Sequence, residues 1–288
     1  MNQLTLKSGR RIAALGLGTW RLGESRARAE HEVAALRGAI DLGYRVFDTA
    51  EMYGEGGAER VLGRAINEAL RSGTVAREEI FVVSKVYPHN AHRRGTLRAC
   101  DASRRRLALD QIDLYLLHWR GSHPLEETVG AFEDLATRGA IGQWGVSNFD
   151  VDDLDELWQA EGRDAAGTHC MVNQVYYSLA TRGVEFSLKP LMERAAMPLM
   201  AYTPIDQGKL GTAAALKALA SARGVSAAQL ALAWLLQRPG VIAIPKAINP
   251  VHLRENLDAA ELTLTDSDLA ALDAAFPPPK RKSALAVI

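Results

Sequence analysis

Short apolar runs closed by polar or glycine residues recur along the chain: LGLGTW (15–20), YRVFDTA (44–50), IFVVSKVYP (80–88), QIDLYLLHW (111–119), AIGQWGVSNF (140–149), CMVNQVYY (170–177), MPLMAYTPI (197–205) and VIAIPK (241–246). Their starts are spaced by about thirty residues, the length of one strand–helix unit. Segments of helical period lie between them. AERVLGRAINEAL places Val61, Leu62, Ala65, Ile66 and Ala69 on one face, and Leu97, Cys100, Asp101 and Arg104 follow a similar spacing in the next unit. Eight repeats of this alternation predict an α/β fold whose parallel sheet closes on itself, a (β/α)8 barrel, rather than an open sheet.

Before the first unit, LTLKSGRRIAAL carries a Ser8-Gly9 turn between two short alternating runs, which predicts an N-terminal hairpin (1–14) plugging the bottom of the barrel. The prolines of PPPKRK (277–282) stop the last helix and open a C-terminal tail (277–288) whose basic triplet reads as solvated. No Pro/Ser-rich linker divides the chain, so residues 1–288 read as one domain.

Composition narrows the partners. Thirty-four basic residues balance 34 acidic ones, so no whole-chain field gathers nucleic acid or anionic membrane. No window approaches a membrane span, and the first residues lack the apolar run of a signal peptide. Cys100 and Cys170 form neither a metal-ligand spacing nor a framework, which suits a reducing compartment. A cytoplasmic protein is expected, monomeric and acting on a small molecule.

Strand parity points to the chemistry. In a barrel strand, residues of one parity face the interior, so polar residues of that parity at C-terminal ends converge on the mouth. Asp48 shares parity with Tyr44 and Val46, Lys85 with Phe81 and Val83, and His118 with Leu114 and Leu116; Tyr53 follows Asp48 in a glycine-rich loop. Each has a structural alternative: Asp48 as a helix cap, Lys85 in a structural ion pair, His118 as a core histidine, and Tyr53 as a loop aromatic. Together they compose a proton-donating site. A cation at ~4 Å contributes up to ~4 kcal/mol at an effective dielectric of ~20, enough to lower a phenol by about three pKa units. Lys85 is expected to act this way on Tyr53, with Asp48 anchoring the ammonium and reducing part of the effect, while a neutral His118 hydrogen-bonds a substrate oxygen.

The ordered segments GYRVFDTAEMYGEGGAERVLGRA, FVVSKVYP, QIDLYLLHW, WGVSNFD, NQVYY and IPKAINPVHLREN resemble the aldo-keto reductases over nearly the whole chain, and within them a bacterial subgroup that includes methylglyoxal reductases. The resemblance implies an NADP(H)-dependent carbonyl reductase on a barrel, with Tyr53 as general acid, Lys85 and Asp48 tuning it, and His118 orienting the carbonyl. It further implies that Ser147, Asn148 and Gln174 bind the nicotinamide carboxamide and that Tyr202 stacks on that ring, with Pro204 a further cofactor-binding residue in the loop after it. Helix capping for Ser147 and Asn148, and strand-end burial for Gln174, are the structural alternatives.

By the same resemblance, Lys246 takes the 2′-phosphate, Glu255 and Asn256 contact adenine, and Ala247, Ile248 and His252 complete the adenosine site. Ala247 and His252 stand where the wider family commonly has serine and arginine. Histidine at its reference pKa of ~6.5 is protonated in only about a quarter of molecules at pH 7, so preference for NADPH, with NADH the weaker alternative, should rest on Lys246. Asp206, in the loop after Tyr202, would repel a pyrophosphate, so it is expected either to face solvent or to pair with Lys209. GLGTWRLG and GEGG do not complete a GxGxxG between strand and helix.

Trp20 and Trp119 match positions that line the family's substrate pocket, with rim packing as the alternative; Arg120 and His123 read either as contacts for an anionic group or as rim charge. Small carbonyl compounds, aldehydes and α-dicarbonyls, are the expected substrates. Two other functions compete. A metal-dependent barrel hydrolase would need clustered ligands, and no HxH occurs on the first strand, so no metal is expected. A non-enzymatic nucleotide-sensing barrel remains open, because a fold does not determine a function.

Overall fold

The computed structural model describes residues 2–288. An antiparallel hairpin, β1 (Gln3–Thr5) and β2 (Arg11–Ala13), precedes eight parallel strands. These are β3 (Leu17–Gly18), β4 (Val46–Asp48), β5 (Phe81–Val86), β6 (Ile112–Leu117), β7 (Ile141–Ser147), β8 (Asn173–Tyr176), β9 (Leu199–Tyr202) and β10 (Val241–Ala243). Each strand pairs with the next in chain order from β3 to β10. The last meets the first through a parallel bridge between Leu15 and Ala243, with Gly16 donating to the Ala243 carbonyl at 2.8 Å and Gly18 to that of Pro245 at 3.0 Å. The sheet is thereby a closed barrel, and each predicted apolar run contributes its strand.

Helices α1 (Ala29–Asp41), α2 (Gly57–Arg71), α3 (Arg93–Leu107), α4 (Leu125–Thr137), α5 (Val151–Glu161) and α6 (Leu188–Arg194) fill the crossovers from β3 to β9. The pair α7 (Ala214–Ala222) and α8 (Ala227–Leu236) links β9 to β10, and α9 (Pro250–Ala259) and α10 (Asp266–Ala275) follow β10. No single helix among the described residues is long and apolar enough to cross a membrane. The predicted face of α2 is buried in full. That of α3 is displaced: Thr96, Ala99, Cys100, Ser103 and Leu107 are buried, whereas Asp101 is exposed.

Two apolar layers result. Val46, Phe81, Val83, Leu114, Leu116, Val172, Met200 and Ile242 fill the barrel, and Leu6 and Ile12 of the hairpin region join them, so the hairpin plugs this interior as expected. The second layer lies between sheet and helices and contains Tyr44. Tyr44 precedes β4, and its hydroxyl donates to the Leu253 carbonyl of α9 at 3.0 Å, so the interior parity assigned to it fails.

Polar residues at the opposite end from the mouth tie the hairpin down. Asp113 on β6 is 2% exposed and accepts from Arg10 at 2.6 Å, Arg77 at 2.8 Å and the Val82 amide at 2.9 Å. Removing one partner from such a buried set leaves uncompensated charge, softened here because both arginines are about a third exposed. Asp113→Ala should therefore lower unfolding stability by about 2–3 kcal/mol in urea titration, while kcat/KM for any carbonyl substrate changes less than about two-fold.

Candidate active site

Lys85 is fully buried on β5, the most exposed consequence of the parity pattern being that its ammonium must find partners inside the barrel. Its Nζ lies 2.8 Å from Asp48 Oδ1 and 2.9 Å from Oδ2, donates to the Thr49 carbonyl at 2.9 Å, and reaches Tyr53 Oη at 3.2 Å. Asp48 is not a helix cap; Gly56 occupies that position in α2. The Tyr53 ring meets that of His118 edge-on, with centroids 5.7 Å apart. The four side chains named from sequence thus form one cluster at the ends of β4, β5 and β6.

The loop carrying Tyr53 is held by backbone packing that only glycine permits. A Cβ on Gly57 would lie 2.1 Å from the Gly23 carbonyl oxygen, and one on Gly54 2.9 Å from that of Leu22. Gly23 of GLGTWRLG and Gly54 and Gly57 of GEGG therefore serve a crossing of two loops. Behind the loop, buried Glu59 on α2 accepts from Ser84 at 2.6 Å and from Arg106 at 2.5 Å.

Burial sets the protonation states. It pushes the Tyr53 phenol well above its ordinary value, and the Asp48 carboxylate adds to this. The expected acidification is not met, because burial of the phenol and the adjacent Asp48 carboxylate both disfavour the phenolate. Burial also lowers Lys85, opposed by Asp48. His118 is driven well below the usual histidine range, first by burial and then by the Lys85 ammonium, so its ring is neutral. Its Nδ1 is buried without a hydrogen-bond partner.

The next strands bring the remaining mouth residues together. Ser147 ends β7 and Asn148 follows with φ +59°. Neither caps α5, whose cap is Asp150. Asn148 Nδ2 donates to the His118 carbonyl at 3.1 Å and to Ser147 Oγ at 3.2 Å, and its Oδ1 accepts from Tyr202 at 2.8 Å. Gln174 is buried, and its amide donates to Asp48 Oδ1 at 2.7 Å, adding a second anchor to that carboxylate. Tyr202 is partly exposed, with one face stacked on Tyr176 at 5.6 Å. Pro204 is buried behind it.

Beyond β10, Lys246 and His252 are exposed, Ala247 is buried, and Ile248 and Glu255 are half-buried. Asn256 is buried beside the Tyr44 hydroxyl, which leaves little of it open for the expected adenine contact. Asn249 caps α9, accepting from Val251 at 2.9 Å.

At the rim, Trp119 is exposed, its ring 4.9 Å from His118 and 5.7 Å from Tyr87. Tyr87, missed in the sequence reading, is held by its amide to Glu51 at 2.7 Å; its position directly after an apolar strand end was the available signal. Trp20 is half-buried beneath the Arg21 guanidinium at 4.4 Å. Arg120 is not a free anion contact: it pairs with Glu156 at 2.6 Å and donates to the His123 carbonyl at 3.0 Å. Asp206 contradicts both expectations, being buried among hydroxyls rather than facing solvent or pairing with Lys209. The tail is likewise not simply solvated: Lys282 lies 3.7 Å from Asp150, Leu285 packs on the core, and the Ile288 amide reaches Tyr202. Among the described residues no three His, Cys, Asp or Glu side chains are grouped to hold a metal.

The barrel and this cluster can be set beside known proteins. Residues 14–276 match the model of the aldo/keto reductase family. The chain belongs to that family. It is 47% identical to methylglyoxal reductase YeaE of Escherichia coli (strain K12), over 96% of this chain and 95% of the relative. It is 36% identical to glyoxal reductase of Bacillus subtilis (strain 168), over 93% and 91%. An aldo/keto reductase from Klebsiella pneumoniae solved in complex with NADP and acetate superposes with a TM-score of 0.92 at 45% identity, covering 99% of both chains. For this aldo/keto reductase, the mouth cluster described above is accordingly the candidate active site.

The neutral ring of His118 has a measurable consequence. The unfolded chain protonates this histidine near pH ~6.5 and the native one does not, so its contribution to stability is complete above that pH and is lost progressively below it. Imidazole 15N shifts should report a neutral His118 at pH 6, where an ordinary histidine is about three-quarters protonated. In Lys85→Met its titration should move upward, since one cause of the depression is gone.

Proposed function

We propose that this aldo/keto reductase reduces aldehydes and α-dicarbonyls such as methylglyoxal to alcohols with NADPH, Tyr53 donating the proton. One observation carries the reading: a buried lysine held by Asp48 lies within 3.2 Å of a tyrosine hydroxyl whose ring abuts a neutral histidine. The E. coli methylglyoxal reductase and the B. subtilis glyoxal reductase support the substrate class, and the NADP complex of the Klebsiella enzyme supports the cofactor.

The residues present fit NADP(H). Tyr202 offers a partly exposed ring already backed by Tyr176, with the polar groups of Ser147 and Asn148 beside it. Lys246 is an exposed cation just past β10 for the 2′-phosphate, with Ala247, Ile248, His252, Glu255 and Asn256 around the adenosine. When bound, a reduced nicotinamide supplies hydride to the carbonyl carbon.

The chain's own residues act at the oxygen. With Nδ1 of His118 buried and unpartnered, placing the ring proton on Nε2 leaves only a lone pair unsatisfied, the less costly arrangement. Nε2–H then donates to the carbonyl oxygen beside the Tyr53 hydroxyl. As negative charge develops there, the proton passes from Tyr53 Oη. An alkoxide is far more basic than a phenolate, so the phenol, though raised by burial, is the acid partner in this transfer. The phenolate left behind is met by the Lys85 ammonium, fixed by Asp48 and the Thr49 carbonyl.

Trp20, Tyr87 and Trp119 supply aromatic surface for a small substrate. The enzyme works as a cytoplasmic monomer on small molecules; two buried free cysteines support the compartment. Tyr53→Phe should lower kcat for methylglyoxal by at least about a thousand-fold while NADPH binding, followed by fluorescence, changes less than about three-fold. Near-normal turnover would remove the proton-donor assignment. Lys246→Ala should cut the NADPH-over-NADH ratio of kcat/KM by about ten-fold or more; an unchanged ratio would move the 2′-phosphate contact elsewhere.

A further inference from the structure

Asp206 is a buried carboxylate that the proposed chemistry does not use. It is 6% exposed, and it accepts from Tyr176 Oη at 2.5 Å, Ser178 Oγ at 2.7 Å and Thr181 Oγ1 at 3.3 Å. All three donors belong to β8 or the turn after it, whereas Asp206 belongs to the loop after β9. The carboxylate therefore ties two neighbouring mouth loops together.

The loop so held is one that L-residues avoid. Thr203 has φ +52°, Asp206 +48° and Gln207 +54°, followed by Gly208 at +85°. Three non-glycine residues in the left-handed region within five positions require an external hold. The hydroxyl cage around Asp206 supplies it, and it keeps the one acidic side chain of this segment buried.

The same bond reaches the mouth through an aromatic stack. Tyr176 and Tyr202 are register partners on β8 and β9, and their rings lie 5.6 Å apart at 28°. Tyr202 Oη donates to Asn148 Oδ1 at 2.8 Å, and Asn148 Nδ2 donates to the His118 carbonyl at 3.1 Å. Fixing the Tyr176 hydroxyl thus fixes the ring beneath Tyr202.

We propose that Asp206 is a positioning residue for the cofactor: it holds Tyr176 under Tyr202 and locks residues 203–208 in the shape that receives the dinucleotide. The proposal rests on the NADP(H) reading and adds to it the residue that pre-forms the site. A pre-formed site binds more tightly because less order is lost on binding.

The test uses the full chain carrying Asp206→Ala, Asp206→Asn or Tyr176→Phe, the last keeping the ring and deleting only the hydroxyl. NADPH is the probe, by fluorescence titration and stopped-flow dissociation, with KM for methylglyoxal at saturating NADPH and the thermal midpoint measured alongside. Asp206→Ala should weaken NADPH binding about ten-fold, mostly through faster dissociation, and Tyr176→Phe about three-fold, with Asp206→Asn between them. KM for methylglyoxal should stay within about two-fold. Folded variants that bind NADPH within about two-fold of wild type, or that lose methylglyoxal affinity as much as NADPH affinity, would overturn the proposal. Should Asp206→Ala not fold, Tyr176→Phe decides by the same criteria. Wild-type protein that binds no NADPH would instead remove the cofactor reading, and the proposal with it.

Discussion

The ion pair between Asp48 and Lys85 constrains everything at the mouth of this barrel. An ammonium with no solvent exposure is tolerable only with a carboxylate in contact and its other donor positions filled. Here one position goes to the Thr49 carbonyl and another faces Tyr53, while the carboxylate is itself braced by the Gln174 amide. The four groups cannot move independently without stranding a buried charge, so the phenol is held at a fixed point. In the proposed reaction the ammonium of this pair would meet the phenolate once the proton has gone.

Around this centre the barrel separates two tasks by strand. The ends of β4, β5 and β6 carry the residues proposed to handle the proton, and those of β7 to β10 carry a polar and aromatic surface leading to Lys246. Asn148 joins the halves, touching the backbone of His118 on one side and Tyr202 on the other. The hairpin and the Asp113 cluster close the far end.

Much of this was legible in the chain because it depends on short-range periodicity. The eight apolar runs located the eight strands, and parity counted back from Asp48, Lys85 and His118 brought three strand ends to one place. Parity failed for Tyr44, which lies before its strand begins, and the α3 face was displaced toward Thr96 and Ser103, small polar residues that a hydrophobic count passes over. The remainder was hidden because it depends on contacts between distant segments. Asp206 reads as an awkward exposed charge until Tyr176, Ser178 and Thr181 are placed beside it, and Glu59 acquires a role only with Ser84 and Arg106. The raised phenol was mispredicted for a related reason: the burial of Tyr53, the larger cause, depends on distant segments, and a cation counted alone left out the Asp48 carboxylate beside it.

The central claim is that Asp48 acts through Lys85 rather than on the substrate, and a double-mutant cycle addresses it directly. Asp48→Asn, Lys85→Met and the double variant would be compared by kcat/KM for methylglyoxal with NADPH saturating. If the carboxylate serves to hold the ammonium, the double variant should lose about as much as Lys85→Met alone, within about three-fold, a strongly non-additive result. Losses that multiply, each variant contributing its full effect in the double, would contradict the account.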